Sequence, residues 1–299
     1  MYNLGEHFKV DYEKIKPNKD SIVQGKNYRF TILSERLIRI EYRENGLFLD
    51  APTQLVVNRN FPKPNFNIKQ DRNYLEISTN YFKLSYKKEQ KINNSKNLKV
   101  EVLNSSSVWY YNHVEAKNYG APVIIENGKI ENTKSLYSLD GFVSIDDSQG
   151  KIINEDGTFR DNDFEGYDIY LFVYLNDFYL CLKDYFNLTG YPSLIPRFAL
   201  GNWWSRNKDY NDVTLKELVD NFKKYEIPIS IILLDKDWHI RPYINKKYLA
   251  TGFTFNKQLF KAPYEMISYL HTQGIRIGLN IDPTEGFYDS DEYFEQAKK

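Results

Sequence analysis

Residues 230–240, SIILLDKDWHI, run four apolar side chains, Ile231 to Leu234, straight into Asp235, Lys236, Asp237, Trp238 and His239. A carboxylate accepts two hydroxyl hydrogens through charge-assisted bonds, an indole offers a stacking face, and a neutral imidazole donates a hydrogen bond. Either the strand simply surfaces here, or it delivers a polar constellation to a pocket. Two other segments end in the same way. WWSRNKDY (203–210) carries Arg206 and Tyr210, and NIDPTEG (280–286) carries Asn280 and Asp282. Three strand ends that turn polar or aromatic together favour the pocket.

The elements that must position these residues alternate between strand and helix. FALGNWWS (198–205) reads as an apolar strand, in which Trp203 and Trp204 point in opposite directions. With Asp212 as N-cap, residues 213–225 place Leu215, Leu218, Val219 and Phe222 on one helical stripe. Pro228 opens the strand ISIILL, and residues 262–274 form a second helix with Tyr264, Ile267 and Leu270 inward and Gly274 at its end. IRIGLNID (275–282) is a third strand, and a third helix begins at Ser290 as N-cap. Successive β–α units with apolar strands predict a parallel sheet, either doubly wound or part of an eight-stranded barrel. In both, functional groups gather at the C-terminal ends of the strands.

Residues 1–190 read differently. In YRFTILSERLIRIEYRENG (28–46), Leu37, Arg39 and Glu41 share one face of a strand and Ile38, Ile40 and Tyr42 the other. Similar runs at 74–88, 98–103 and 167–175, punctuated by Asn, Gly, Asp and Ser clusters, predict a β-sandwich. A short helix over 178–190, ending at Gly190, leads through YPSLIPRF into the second architecture. The domain boundary is therefore expected at 190/191.

Composition narrows the function classes. Forty basic and forty acidic side chains cancel, so nothing pulls the chain toward nucleic acid or an anionic membrane. The single cysteine, Cys181, forms no intrachain disulfide, and four histidines without paired spacing do not suggest a zinc site. No glycine-rich phosphate loop follows a strand, which argues against a phosphate-handling barrel, and no cofactor is expected. No signal-peptide core and no stretch of about 18 apolar residues occurs, and with the lone cysteine this leads to the expectation of a cytoplasmic protein. Aromatic residues make up 16%, a composition that sugar-binding surfaces share with Lys/Asn/Tyr-biased chains.

PRFALGNWWSRNKDY, IPISIILLDKDWHI, TGFTFNKQLF and LHTQGIRIGLNIDPTEG, in this order, resemble the start of the barrel in glycoside hydrolase family 31. Upstream, LDGFVSIDDS (139–148) and residues 168–198 look like that family's N-terminal, galactose-mutarotase-like β-sandwich and its lead-in to the barrel. The resemblance covers residues 28–299. It implies a β-sandwich followed by the first three β/α units of a (β/α)8 TIM barrel, and a retaining α-glycosidase, in first place an α-glucosidase acting on short oligosaccharides, or an α-xylosidase.

By the same resemblance Asp235 matches the aspartate that hydrogen-bonds the sugar hydroxyls, with capping of a neighbouring loop as its alternative, and Tyr210 matches an aromatic lining of that pocket or packs in the core. Asn280 stands near the pocket floor where relatives commonly carry an apolar residue, and Asp282 fits the family's DP, as a substrate ligand or in a structural role. Trp238 and His239 either wall the rim or pack against the following loop. Asp237 either touches sugar or orients a neighbour, and Arg206 is a substrate ligand or an ion-pair partner. Lys236 stands where many relatives have an apolar residue, a departure that leaves its role open. The two catalytic aspartates of the family follow the fourth and later barrel strands and are expected beyond residue 299, so the 299-residue chain is expected to be part of a longer enzyme and inactive alone. A non-catalytic carbohydrate-binding protein derived from the family is the alternative. The expected partner is an oligosaccharide or α-glycoside, and homo-oligomerisation stays open.

Overall fold

The alternation at 37–42 is realised in the computed structural model, which describes residues 10–113, 118–119, 123–126, 129–132, 135–162, 165–249, 252–281 and 284–298. The chain divides into two compact units, Met1–Pro192 and Ser193–Lys299. In the first, the main strands are β1 (Ile22–Gln24), β2 (Tyr28–Ile32), β3 (Leu37–Tyr42), β4 (Asn67–Gln70), β5 (Tyr74–Ser78), β6 (Phe82–Lys87), β7 (Leu98–Val102), β8 (Val108–Trp109), β9 (Phe142–Asp146) and β10 (Tyr167–Val173). They form two five-stranded antiparallel sheets, ordered β1-β2-β3-β10-β9 and β4-β5-β6-β7-β8. Phe30, Ile38 and Ile40 of the first sheet and Ile77, Leu84 and Val100 of the second belong to one buried core. Each such side chain contributes about 1.5–3 kcal/mol when fully buried.

The other face of the first sheet is buried too, which alternation alone does not predict. Leu37, Tyr170 and Phe172 pack there with Val56, Cys181 and Leu188, the last two from helix α1 (Phe178–Thr189). α1 is capped by Asp177, which accepts from the Leu180 amide at 3.0 Å, and it ends at Gly190 as expected. The charged residues of this face are paired under that cover. Arg29 Nε meets Glu41 at 2.6 Å and Arg39 Nη2 meets Asp168 at 2.6 Å, while Asp50 receives Arg29 at 2.7 Å and Arg39 at 2.8 Å. Burial raises the cost of charging Asp168, yet the Arg39 guanidinium more than offsets it and holds this carboxyl below the usual range. For Glu41 burial wins over both arginines, and its carboxyl is pushed up.

In the second unit, β11 (Trp203–Ser205), α2 (Asp212–Lys224), β12 (Ile231–Leu234), α3 (Pro263–Thr272) and β13 (Arg276–Leu279) follow one another. The strands form a parallel sheet in the order β11-β12-β13, and no closed barrel is present among the described residues. Leu215 and Val219 of α2, Met266 and Leu270 of α3, and Ile232 and Leu234 of β12 make its core. Trp204 faces this core and Trp203 is half exposed, so the two indoles diverge as expected.

Four local expectations need correction. The cap of α2 is Asn211, whose side chain accepts from the Val213 and Thr214 amides, and Thr214 at N3 completes a capping box. Asp212 instead accepts the Lys261 amide at 2.8 Å. Tyr264 is 82% exposed, because α3 turns Met266 and Leu270, one helical turn apart, toward the sheet. The strand expected over 198–205 is confined to Trp203–Ser205, preceded by a 3₁₀ turn at Arg197–Leu200. Ser290 caps nothing: the last helix is a single turn, Phe294–Ala297, and Asp291 is buried with its carboxylate on the Phe253 amide at 2.6 Å.

Two stability outcomes follow. Arg39→Met leaves Glu41 and Asp168 buried without their shared cation, and is expected to cost roughly 3–5 kcal/mol in urea unfolding. Burial, assisted by nearby Asp168, pushes the Asp147 carboxyl up to about 6 against the opposing Thr53 hydrogen bond. A raised carboxyl binds its proton more tightly folded than unfolded, so its contribution is full below about pH 4 and lost as pH rises through 6. Asp147→Asn removes that loss: urea midpoints measured from pH 4 to 7 should converge with wild type at the acid end and exceed it at neutrality. Parallel curves would contradict the assignment.

Candidate functional site

Parallel pairing brings the three C-terminal strand ends to one rim. β12 leaves the sheet at Leu234, Asp235 stays extended (φ −84°, ψ −151°), and Lys236–Trp238 make a single 3₁₀ turn. The ladder continues one step beyond β13, where the Asn280 amide donates to Leu234 O at 2.9 Å. That step places the side chains together, and Asn280 Nδ2 donates to Asp235 Oδ1 at 2.9 Å. The Trp238 indole closes the triangle, its Nε1 donating to Asn280 O at 2.8 Å. Asp235 is half-buried and Asn280 exposed, so this acid–amide pair is open to solvent.

Trp238 and His239 are 4% and 5% exposed. For both, the packing alternative describes their place. Trp238 lies edge-on to Phe255 with ring centres 5.0 Å apart, and it is part of the core rather than an open stacking wall. His239 Nδ1 donates to Ile240 O at 3.1 Å, and Gly252 lies so close (φ +127°) that a Cβ there would sit 2.3 Å from that nitrogen. Burial lowers the His239 pKa below its ordinary value. Tyr210 is also buried, with its hydroxyl accepting from Trp204 Nε1 at 2.9 Å, so it braces the sheet beneath the rim.

Asp237 pairs with Arg241, four residues on, at 3.2 Å. It also hydrogen-bonds the exposed Asp209, and this contact, with the repulsion between the two charges, raises the Asp209 pKa. Asp209 and Arg241 were not singled out from the sequence. The i,i+4 spacing of Asp237 and Arg241 was available as a signal, whereas the approach of Asp209 depends on how the 206–211 loop turns. Arg206 is exposed and has no ion-pair partner among the described residues. Asp282 lies outside the described residues, and Lys236 contributes its backbone to the 3₁₀ turn. No three His, Cys, Asp or Glu side chains cluster as metal ligands among the described residues.

Residues 192–299 match the family described as glycosyl hydrolases family 31, TIM-barrel domain. Over 168 residues the chain is 27% identical to an α-xylosidase of Saccharolobus solfataricus, covering 56% of this chain and 21% of the relative. It is 31% identical over 112 residues to α-glucosidase 2 of Bacillus thermoamyloliquefaciens, covering 38% of this chain and 13% of that one. A Flavobacterium johnsoniae GH31 dextranase, solved with isomaltotriose, superposes at a TM-score of 0.53 and 16% identity over 87% of this chain and 36% of its own, a likeness of fold. The match to the family-31 barrel domain is thus confined to residues 192–299, and the chain spans about a fifth of the first of these curated relatives.

A buried neutral His239 has a testable titration. Its NMR midpoint should fall below 6.5, with its share of stability present above that pH and lost as acid protonates the folded ring. A midpoint at or above 6.5 would show that the ring is solvated.

Proposed function

We propose that this chain supplies the sugar-holding rim of a retaining α-glycoside hydrolase, an α-glucosidase that releases terminal α-linked glucose from short oligosaccharides. The observation that carries the reading is the Asp235–Asn280 pair, an acidic side chain and an amide on the ends of adjacent parallel strands, open to solvent. A pyranose presents neighbouring hydroxyls, each a donor and an acceptor. A carboxylate takes two donors and the amide supplies the complementary contact, which orients the ring before any bond is broken.

In a retaining mechanism one carboxylate attacks the anomeric carbon while a second, about 5 Å away, protonates the departing oxygen, and water then releases the covalent intermediate. This reading assigns those two aspartates to barrel strands after the third, so the residues described here bind and orient. The shared chemistry of family 31 supports α-glycoside hydrolysis, and the α-glucosidase relative supports glucose. A second reading, α-xylosidase, is favoured by the name of the S. solfataricus relative.

Calorimetry on the 299-residue chain tests this. Glucose should bind in preference to xylose, and Asp235→Ala should weaken it by about 10- to 100-fold, the worth of a charge-assisted hydrogen bond. The chain should not turn over an aryl α-glucoside. Preference for xylose selects the second reading, and equal affinity of wild type and Asp235→Ala removes the rim from both.

A further inference from the structure

The loop after β12 does not return directly to helix α3. It first forms a hairpin in which Tyr243–Ile244 pairs antiparallel with Lys247–Tyr248 around Asn245 and Lys246. Both turn residues have positive φ, 53° and 64°, the conformation of the tight two-residue turn that matches the twist of paired strands. The base of the hairpin is anchored: the Ile240 amide donates to Thr254 O at 2.9 Å, the Leu249 amide to Pro242 O at 3.0 Å, and His239 bridges to Phe255.

Alternation sorts its side chains onto two faces. Ile244 and Lys247 lie on one, and Lys247 reaches Glu285, on the loop after β13, at 3.1 Å. Tyr243 and Tyr248 lie opposite each other on the second face, with ring centres 4.8 Å apart, and Arg241, two residues before Tyr243, sits 5.2 Å over the Tyr248 ring. The same guanidinium holds Asp237 at 3.2 Å. The tyrosine face is therefore linked through Arg241 to the acidic turn that begins at Asp235. Despite those contacts, Tyr243 is 61% and Tyr248 56% exposed.

Two tyrosine rings left open beside a guanidinium and a carboxylate have the chemistry of a pyranose platform. The C–H face of a sugar covers the ring, and its hydroxyls meet the ions at the edge. The cross-strand pairing and the anchored base hold the two rings in place on the hairpin. Fixing them in advance lowers the entropy cost of binding.

We infer that the Tyr243/Tyr248 face binds the second pyranose of an oligosaccharide, adjacent to the ring oriented at Asp235. The inference rests on the reading of that rim as a sugar site and adds the element that selects chain length over a single sugar.

The test compares glucose with maltotriose and isomaltotriose on the full 299-residue chain by calorimetry. Wild type is expected to bind a trisaccharide more tightly than glucose. Tyr243→Ala and Tyr248→Ala should each lose about tenfold in trisaccharide affinity and keep glucose affinity within about twofold, whereas Tyr243→Phe and Tyr248→Phe, which retain the ring, stay near wild type. Asp235→Ala should weaken both ligands. Circular dichroism and thermal unfolding identify any variant that has lost its fold, and the Phe variants then carry the comparison by locating the effect in the ring or the hydroxyl. If trisaccharide affinity survives both Ala variants, or the Phe variants lose as much as the Ala ones, the platform is wrong and the Asp235 reading stands. If wild type binds none of the three sugars, the rim reading fails and the platform with it.

Discussion

The in-register parallel pairing of β12 with β13 is the constraint on which the rim depends. Ile231 pairs with Arg276 and Leu234 with Leu279, so the next residues, Asp235 and Asn280, leave the sheet side by side. Side chains in a strand alternate, and a slip of one residue would send Asn280 to the opposite face and break its bond to Asp235. The register is enforced from below by Ile232 and Leu234 against α2 and α3, and from above by the Trp238 indole on the Asn280 carbonyl. The hairpin inherits the same constraint, since its base is tied to Asp237 through Arg241 and its tip to Glu285 through Lys247.

The two units handle charge in opposite ways. In the first, Glu41, Asp50 and Asp168 are each met by arginine under a covering helix and loop, and their charges are spent on each other. Such a network is weak evidence for added stability, but its loss is costly because each member relies on the others. In the second unit, Asp235 faces a neutral amide, while Asp237 stands between Arg241 and Asp209. A carboxylate at solvent beside a neutral amide, as Asp235 is, keeps its capacity to accept hydrogen bonds from a ligand. Saturated charge marks a scaffold and unsaturated charge marks a surface meant to meet something else.

What could be read from the sequence was the local periodicity. The apolar/polar alternation of 37–42 and the apolar run 231–234 both became the strands they suggested, because each pattern is imposed by immediate neighbours. The burial of Arg39 and Glu41 was not legible: their cover comes from Asp50, Val56 and α1, distant segments without periodic signal. The start of α2 shifted by one residue because Asn211 and Asp212 are both good caps, and only the Thr214 side chain returning to Asn211 decides between them. Trp238 and His239 stayed open between rim wall and loop packing because aromatic residues at a strand end suit either, and only the 3₁₀ turn, which draws both rings inward, places them. The hairpin escaped notice because its turn, Asn245-Lys246, lacks the glycine that usually announces positive φ.

The central claim is that sugar is held where β12 and β13 end. Amide chemical shifts of the isotope-labelled chain, followed as maltotriose is added, test it most directly. The account predicts that the largest changes fall on Asp235, Asn280 and the 241–248 hairpin, with the two sheets of the first unit unaffected. Changes confined to the first unit, for example in the cleft lined by Tyr42 and Tyr167, would contradict it.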